Sequence, residues 1–400
     1  MPAASHASRS RIHAIRQQPG DPVVLHARVV GDHGGGPDKT VLRSARYAQA
    51  HGYRLAAAYL HPRGGSGIET IRRHADDLDC PLIELPETGP IDPRALWSLA
   101  AWCRRLNVSI FHGHDYKTNL LGLMLRRLHR MRLVTTVHGW VSTHGRSKLY
   151  YALDRRLQRR FDRVLAVSPD LAEACRKLGV PDEKLNYIPN AIEPEVFRRQ
   201  RSVAEARREL GLPDNKPIVG FVGRLNEEKG LDRAMRLLPE LRERVPDCEF
   251  HLVGDGPSRG ELTDRAAANT LYPAVRFHGW QSNVSRWVEA FDVLWLPSRA
   301  EGLPNAALEA MSLETPVALT NVGGASDLLD AGRCGVLLPD GEDRWIDPLA
   351  KLLNDPEQRR SLAQRGQQRI EQHFSFDARM RRVAAIYDEL LGRDARDAAA

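Results

Sequence analysis

The chain has 400 residues, of which 42% are hydrophobic and 27% are charged, and its formal net charge is +7. This length exceeds one ordinary hydrophobic core, so we expect two or three domains of a globular protein. No apolar run approaches the roughly 20 residues that span a bilayer, and residues 1–20 lack the apolar segment of a secretory signal. We therefore expect a cytoplasmic protein with a disordered lead-in at 1–20. Its five scattered cysteines show no C-x-x-C spacing, which argues against a disulfide or zinc framework.

From residue 21 onwards, short β-branched runs alternate with helical patterns, which indicates βαβ units around a parallel sheet. The predicted strands of this part are 23–30, 54–60, 81–85, 108–111, 132–137, 163–167 and 185–188, and predicted helices include 39–51, 93–106, 118–129 and 149–160. The rhythm breaks between 192 and 217 and restarts with predicted strands at 218–222, 249–253, 275–278, 293–296, 316–319 and 335–338. We therefore place one doubly wound domain at 21–200 and a second at 201–374, and expect a cleft between them. The last predicted helix, within 375–392, should pack back on the first domain.

Two carboxylates, Glu301 and Glu309, flank a predicted turn from strand to helix. The helix begins near Pro304, which suits a first helical turn, and its free N–H groups and dipole would attract an anion. Glu301 lies on the loop and Glu309 lies within the helix, so they could bind different parts of one ligand. A ligand with a phosphate and with hydroxyls on both sides of it is a nucleotide sugar. Taken alone, the two residues could equally be a loop charge and a solvated helix charge.

Two cations follow the first predicted strand of the second domain. Arg224 offers a planar fork for phosphate oxygens, and Lys229 offers a mobile point charge. Gly223 and Gly230 would let the backbone pass close to a ligand. Together with the helix after Pro304, these cations could hold a pyrophosphate.

The order Arg224, Lys229, Glu301, Glu309, with seven residues between the two glutamates, resembles the signature of retaining GT-B glycosyltransferases of the family 4 type. The resemblance covers about residues 24–391. It implies an α/β fold of two Rossmann-like doubly wound domains facing a cleft, the first binding the acceptor and the second the nucleotide-sugar donor. It also implies that Arg224 and Lys229 bind the donor diphosphate, that Glu309 holds the ribose and that Glu301 contacts the sugar.

The resemblance adds further positions. His138 matches the active-site histidine region and is expected to contact the donor sugar near the reacting carbon. Residues 34–39 resemble the glycine loop of the first domain, which would bring Gly36 close to the diphosphate, although Asp38 stands where Glu is commoner. Asp327 is a second Asp in place of Glu, which puts a role for that position in doubt. The expected donor-binding residues of the second domain also include Gly254, Trp280, Gly302, Leu303, Pro304 and Asn305.

The run His112-Gly-His114-Asp115 resembles a metal-binding site because it offers three possible ligands. Three candidate ligands in one tight loop do not by themselves make such a site, so we favour residues that line the acceptor side. The acceptor-side candidates are His114, Asp115, Lys117 and Asn119. We expect no metal and no cofactor, only the nucleoside diphosphate sugar as co-substrate, because the family is metal-independent.

A basic stretch at 126–163 carries eleven Lys and Arg residues against two Asp residues. Such a patch attracts phosphate. Few aromatic residues accompany the charges and no nucleic-acid motif is present, so a lipid-linked or phosphorylated acceptor ranks above nucleic acid. We expect transfer from a UDP- or GDP-sugar to a glycan or lipid-linked acceptor in bacterial surface polysaccharide assembly, with peripheral contact to the inner face of an anionic membrane. The alternatives are a small soluble acceptor, a sugar-nucleotide epimerase on the same scaffold, and a binding module without catalysis.

Overall fold

In the computed structural model, the described residues are 11–12, 20–30, 36–65, 67–89, 92–139, 156–268, 271 and 274–393. They form two compact units, one comprising residues up to Asn190 and from Phe376 onwards, and the other comprising Ala191–Ser375. The sequence pattern puts the change of domain at 200, whereas the structure puts it at 190. The reason is local, because the Ile192 N–H donates to the Phe374 carbonyl at 2.9 Å and so ties this segment to the second unit. Most of the predicted lead-in and most of the predicted helix 149–160 lie outside the described residues. Within the lead-in, however, Ile12 is buried in the core of the first unit and Arg11 pairs with Asp76 at 3.0 Å.

Among the described residues of the first unit, seven parallel strands form one sheet in the order β3-β2-β1-β4-β5-β6-β7. Short runs of branched aliphatic residues become strands because both faces of this sheet are covered and buried. The strands are β1 (Val23–Val29), β2 (Arg54–Pro62), β3 (Leu82–Glu87), β4 (Val108–Gly113), β5 (Arg132–Val137), β6 (Arg163–Ala166) and β7 (Leu185–Tyr187). The helices are α1 (Gly36–Ala48), α2 (Gly67–Asp77), α3 (Pro93–Arg105), α4 (Tyr116–Leu125) and α5 (Pro169–Lys177).

In the described part of the second unit, six parallel strands follow the order β10-β9-β8-β11-β12-β13. Its core centres on large buried side chains, among them Phe221, Phe250, Phe291 and Trp295. The strands are β8 (Ile218–Val222), β9 (Glu249–Val253), β10 (Val275–Gly279), β11 (Val293–Leu296), β12 (Val317–Thr320) and β13 (Val336–Leu338). The helices are α6 (Val203–Leu210), α7 (Leu231–Arg244), α8 (Arg259–Ala268), α9 (Val284–Ala290), α10 (Asn305–Ser312), α11 (Ala325–Leu328), α12 (Ile346–Asn354) and α13 (Pro356–His373).

The last helix, α14 (Phe376–Leu391), returns to the first unit and packs on α1. The Tyr53 hydroxyl donates to the Asp388 carboxylate at 2.6 Å, and the rings of Tyr47 and Phe376 stack at 5.3 Å. Helix α14 therefore contributes to the core of the first unit. All five cysteines lie in the described part of the chain, where each is buried and none forms a disulfide bond. Within the same residues, no helix combines the length and apolar character needed to cross a bilayer.

Candidate active site

The carboxyl ends of β8, β9, β11 and β12 meet at one edge of the second sheet, and their loops are in close backbone contact. Gly254 has φ +137°, and a Cβ at this position would lie 1.9 Å from the Gly223 carbonyl oxygen. A Cβ on Gly323 would lie 2.0 Å from the Glu301 carbonyl oxygen, and the Gly324 N–H donates to the Gly302 carbonyl at 2.7 Å. These contacts leave no room for side chains. They fix the loops that carry the predicted donor-binding residues.

Lys229 and Glu301, which lie on two different loops, are brought together by the fold. The Lys229 Nζ donates to Glu301 Oε1 at 2.5 Å, and the Ser298 hydroxyl donates to the same oxygen at 2.9 Å. The lysine side chain is 22% exposed and the glutamate side chain 13% exposed. Lys229 and Glu301 therefore form an ion pair at the carboxyl edge of the second sheet, and both side chains are partly exposed to solvent.

A second ion pair fastens the same two loops together. The Arg299 guanidinium donates to both carboxylate oxygens of Asp232 at 2.6 and 2.7 Å, and the Arg299 N–H donates to the Glu228 carbonyl at 2.7 Å. Hydrogen bonds from Arg299 and Arg236 hold the pKa of Asp232 well below its usual range. Sequence reasoning did not single out Arg299 or Asp232, because each is an unremarkable loop or helix charge until the fold is known.

The remaining predicted donor residues surround this pair. Arg224 is exposed just after β8, and its side chain makes no hydrogen bond or ion pair to the described residues. Pro304 precedes the first residue of α10, Asn305, as the helix N-cap, and Glu309 is half-buried within that helix. Leu303 is buried, whereas Gly302 is half-buried. A phosphate group could thus meet Arg224, Lys229 and the N-terminus of α10 on one edge of the sheet.

The loop after β10 lies beside the loop after β9. The Gly254 N–H donates to the Gly279 carbonyl at 2.8 Å, and Trp280 next to it is 75% exposed. The His278 ring contacts the Trp287 ring at 4.0 Å, and burial lowers the pKa of His278 to about 4. An exposed indole beside a close backbone approach is suited to stacking against a flat ring.

Histidines of the first unit form a connected cluster that the sequence analysis recognised only in part. His26 of β1 is the direct strand partner of His112 of β4, and His114 and His138 follow the ends of β4 and β5. Tyr387 of α14 reaches this cluster from the other end of the chain. We define the histidine chain as six side chains joined in this order by hydrogen bonds: Thr136, His112, Tyr387, His26, His114 and His138. The distances are 2.7 Å from Thr136 Oγ1 to His112 Nε2, 2.6 Å from His112 Nδ1 to the Tyr387 hydroxyl, 3.4 Å from that hydroxyl to His26 Nε2, 2.8 Å from His26 Nδ1 to His114 Nε2, and 3.0 Å from His114 Nδ1 to His138 Nε2.

The rings of the histidine chain are held neutral. Burial, together with a smaller effect of the Arg379 charge, lowers the pKa of His26 to about 3. Burial is also the largest cause of the strongly lowered pKa values of His112, His114 and His138, with smaller effects from neighbouring rings and arginines. A neutral imidazole carries one N–H donor and one lone pair, so each ring can pass a hydrogen bond on to the next.

The structure corrects the predicted loop at His112-Gly-His114-Asp115. His112 and Gly113 belong to β4, whose register continues two residues beyond the predicted end at 111. Asp115 caps α4 by accepting from the Lys117 and Thr118 N–H groups at 3.0 Å each, and it also accepts from the Val29 N–H at 2.8 Å. These contacts order the start of the helix.

The other candidates of the first unit lie close by. The Lys117 ammonium pairs with Glu87, and Asn119 is buried beside Gly113. Gly36 begins α1, whereas the glycines before it lie outside the described residues. Asp38, two residues into that helix, accepts from Arg28 Nε at 2.7 Å. The shorter carboxylate is thus used to hold an arginine inside the first unit.

Comparisons with known proteins agree with this architecture. The family described as Glycosyl transferases group 1 matches residues 202–369, and Glycosyltransferase Family 4 matches residues 34–196. A 2-deoxystreptamine glucosyltransferase of Streptomyces kanamyceticus is 30% identical over 83% of this chain and 94% of its own length. The chain belongs to the family 4 type of GT-B glycosyltransferases.

Other relatives of this glycosyltransferase are named for the transfer of different sugars. An α-D-kanosaminyltransferase of Streptomyces kanamyceticus is 33% identical, over 44% of this chain and 46% of its own length. A UDP-Gal:α-D-GlcNAc-diphosphoundecaprenol α-1,3-galactosyltransferase of Escherichia coli is 29% identical over 66% of this chain and 71% of its own length. The crystal structure of Anabaena HepE in complex with UDP superposes with a TM-score of 0.78 at 20% identity, covering 92% of this chain and all of that one. That last likeness establishes the fold.

The glycosyltransferase contains candidate site residues that sequence reasoning missed. His26, Tyr387 and Arg379 join the predicted His114 and His138 only through the fold. One signal was present, because histidines at i and i+2 in a strand point to the same face, which His112 and His114 begin to show. Nothing local connects them with Tyr387, which lies 275 residues from His112.

Proposed function

We propose that the enzyme transfers a sugar from a UDP- or GDP-sugar, with retention at the anomeric carbon, to a glycan or lipid-linked acceptor in bacterial surface polysaccharide assembly. The observation that carries the donor half of this proposal is the contact between Lys229 and Glu301. It joins a phosphate-binding residue type to a carboxylate that can bind sugar hydroxyls, beside the N-terminus of α10. The GT-B family of nucleotide-sugar enzymes provides the context in which these groups act together.

The proposed mechanism places little covalent chemistry on the protein. The leaving diphosphate takes the proton of the acceptor hydroxyl as the new bond forms on the same face of the sugar. Arg224 and Lys229 would stabilise the charge that develops on the diphosphate, and His138 and Glu301 would hold the sugar. Removal of one fixed charge-stabilising group typically costs on the order of 10²-fold in turnover or more.

The acceptor half of the proposal is supported by a surface of the first unit. Helices α3 and α4 contact each other. The exposed large apolar side chains on α3, on α4 and just after α4 are Trp97 at 59%, Met124 at 44% and Leu128 at 43%. Exposed arginines follow α4, among them Arg127 and Arg130, which make no ion pair with the described residues. Apolar side chains beside unpaired cations suit the surface of an anionic membrane. A lipid-linked acceptor would be met there.

The decisive assay incubates the purified enzyme with a panel of UDP- and GDP-sugars, with and without membrane lipid extract, and identifies the nucleotide released and the product formed. We expect release of one nucleoside diphosphate that depends on lipid extract. Lys229→Ala should lower it on the order of 10²-fold or more, whereas Lys351→Ala, an exposed lysine of α12, should leave it unchanged. Full transfer by folded Lys229→Ala would refute the donor assignment. Conversion of the donor sugar without an acceptor would indicate the epimerase alternative.

A small soluble acceptor is the second candidate, and one observation favours it. The relative with 94% of its length matched is named for glucosylation of 2-deoxystreptamine. A third arm of the same assay therefore supplies aminocyclitols and simple sugars without lipid. Transfer in that arm alone would replace the lipid-linked acceptor in the proposal and leave the donor site unchanged.

A further inference from the structure

The protons of the histidine chain must all point the same way. Each neutral ring donates with one nitrogen and accepts with the other, and the Tyr387 hydroxyl has one proton to donate. If one ring in the chain reverses its tautomer, its neighbours must reverse theirs to keep the hydrogen bonds. Only two arrangements therefore keep every link, one with the protons directed towards His138 and one with the protons directed away from it.

The buried end of the histidine chain, at Thr136, selects between these two proton arrangements. The Thr136 side chain is 2% exposed, and His112 Nε2 is its only hydrogen-bond partner among the described residues. When Thr136 donates, its proton is satisfied and only oxygen lone pairs remain without a partner. In the opposite arrangement a buried O–H would have no acceptor, which costs more than an unused lone pair. The favoured arrangement directs the protons towards His138.

At the other end, His138 Nε2 then accepts from His114 Nδ1, so the proton of His138 lies on Nδ1. This nitrogen makes no hydrogen bond to the part of the chain that the structure describes, and the side chain is partly exposed. We propose that the histidine chain holds His138 as the Nδ1–H tautomer, a neutral donor for an oxygen of the nucleotide sugar, with His114, His26 and Tyr387 as positioning residues. The identity of that oxygen as a donor-sugar or phosphate oxygen rests on the proposed function, whereas the tautomer does not.

A metal ion is the competing explanation for such a cluster. One ring nitrogen from each of His26, His112 and His114 lies within 4.8 Å of the others, a grouping that resembles three zinc ligands. Two of these rings are hydrogen-bonded directly at 2.8 Å, however, and the histidine chain contains no carboxylate. The buried Arg379 adds positive charge close to His26 and His112, and its Nε and Nη1 have no hydrogen-bond partner within the described residues. These observations favour neutral rings bonded to one another.

The test is NMR spectroscopy of the full chain labelled with ¹⁵N-histidine, with His138 assigned by comparison with His138→Gln. We expect a protonated nitrogen at Nδ1 and an unprotonated nitrogen at Nε2. The reverse pattern would overturn the proposal. So would metal-bound shifts at three rings together with one zinc per chain by elemental analysis. Neither readout depends on finding the sugar donor, so a failure of the proposed function is distinguishable from a failure of this inference.

Substitutions at His114 test the positioning role. His114→Phe keeps a ring but removes the donor to His138, and a free imidazole prefers the Nε2–H tautomer. We therefore expect His138 to change tautomer and turnover to fall about 10- to 100-fold, the scale seen when the partner of a metal-binding histidine is removed. His114→Asn, whose amide nitrogen can occupy the position of Nδ1, should restore both properties in part.

Tyr387→Phe interrupts the chain further from His138 and should lower turnover by a smaller factor. Tyr53→Phe is the matched control, because it removes a buried tyrosine hydroxyl bonded to the same helix without touching a histidine. Unfolding midpoints show whether each variant is folded. If His114→Phe is folded and changes neither the tautomer of His138 nor turnover, the histidine chain does not position His138.

Discussion

The pair between Lys229 and Glu301 leads to a prediction of opposite effects from its two halves. Bound diphosphate would compete with Glu301 for the lysine ammonium. Neutralising the glutamate as Glu301→Gln should therefore release Lys229 and tighten the binding of free UDP or GDP. Neutralising the lysine as Lys229→Met should weaken the same binding. Turnover with the donor sugar should fall in both variants, because Glu301 is expected to hold the sugar.

The contact distance and the exposure of the two side chains set the size of the effect. Two unit charges about 4 Å apart interact by about 1 kcal/mol in water and by about 4 kcal/mol near a protein surface with an effective dielectric constant of about 20. The Nζ–Oε1 distance is 2.5 Å, but the side chains are 22% and 13% exposed, so solvent screens part of the attraction. We expect about 1 to 2 kcal/mol, or roughly 5- to 30-fold tighter binding of the nucleotide by Glu301→Gln. Loss of a charged hydrogen bond in Lys229→Met should cost about 1.5 to 3 kcal/mol.

Isothermal titration with UDP and GDP measures both effects without knowledge of the acceptor. Glu227→Gln is the control, since it removes the same charge from an exposed residue of the same turn that does not contact Lys229. The double variant Lys229→Met/Glu301→Gln should bind no better than Lys229→Met, because the gain requires the freed ammonium. Weaker nucleotide binding by Glu301→Gln would refute the competition, and with it the assignment of Lys229 to the diphosphate.

Three further outcomes are expected. Gly254→Ala should lower the free energy of unfolding in urea by about 3 kcal/mol or more, because Gly254 has a positive φ and the added Cβ would clash with the Gly223 carbonyl. Gly260→Ala is the control and should not lower this free energy, because Gly260 faces open space on α8. Equal stability of both variants would contradict the close packing at Gly254. As the pH falls from 6.5 towards 5, histidines in the unfolded chain gain protons, whereas the four histidines of the folded histidine chain stay neutral because their pKa values are lowered. The free energy of unfolding should therefore decrease by up to about 1.4 kcal/mol per pH unit for each of these four histidines. Denaturant titrations that show unchanged stability over this range would contradict neutral buried rings. Trp97→Ser and Arg127→Glu should each reduce sedimentation with anionic vesicles, the latter by about 1 kcal/mol or more, and high salt should do the same. Equal binding to neutral phosphatidylcholine vesicles would contradict the electrostatic part of this surface.

The candidate site residues of the second unit could be predicted from the sequence because the patterns that indicate them are local. A strand followed by Gly-Arg predicts the position of Arg224, and a strand followed by a Gly/Pro turn and an Ala-rich helix predicts the position of Glu301. Carboxyl ends of parallel strands share one edge, so the approach of Lys229 to Glu301 follows from the fold class. The support given by Arg299 and Asp232 was not accessible, since many exposed helices carry such charges without a partner.

The first unit was harder to predict because its functional arrangement depends on non-local contacts. His26 can pair with His112 only if β1 neighbours β4 in the sheet. That neighbourhood can be predicted only once the doubly wound strand order of the whole domain is assumed. Tyr387 enters from a helix that follows the second unit in the sequence. The sequence predicts a helix within 375–392 that packs back on the first domain, but it does not predict which buried hydroxyl meets which ring.

The two units therefore hold their functional groups by different physical means. In the second unit, close backbone contacts at positions such as Gly254 and Gly323 fix the loops, so almost any side chain there would displace them. In the first unit, a directional series of hydrogen bonds fixes His138, and its far members can be altered without a steric clash. Changes in α14 can then tune the chemistry of His138 while the donor loops stay intact. The C-terminal helix thus belongs to the functional machinery of the first unit as well as to its core.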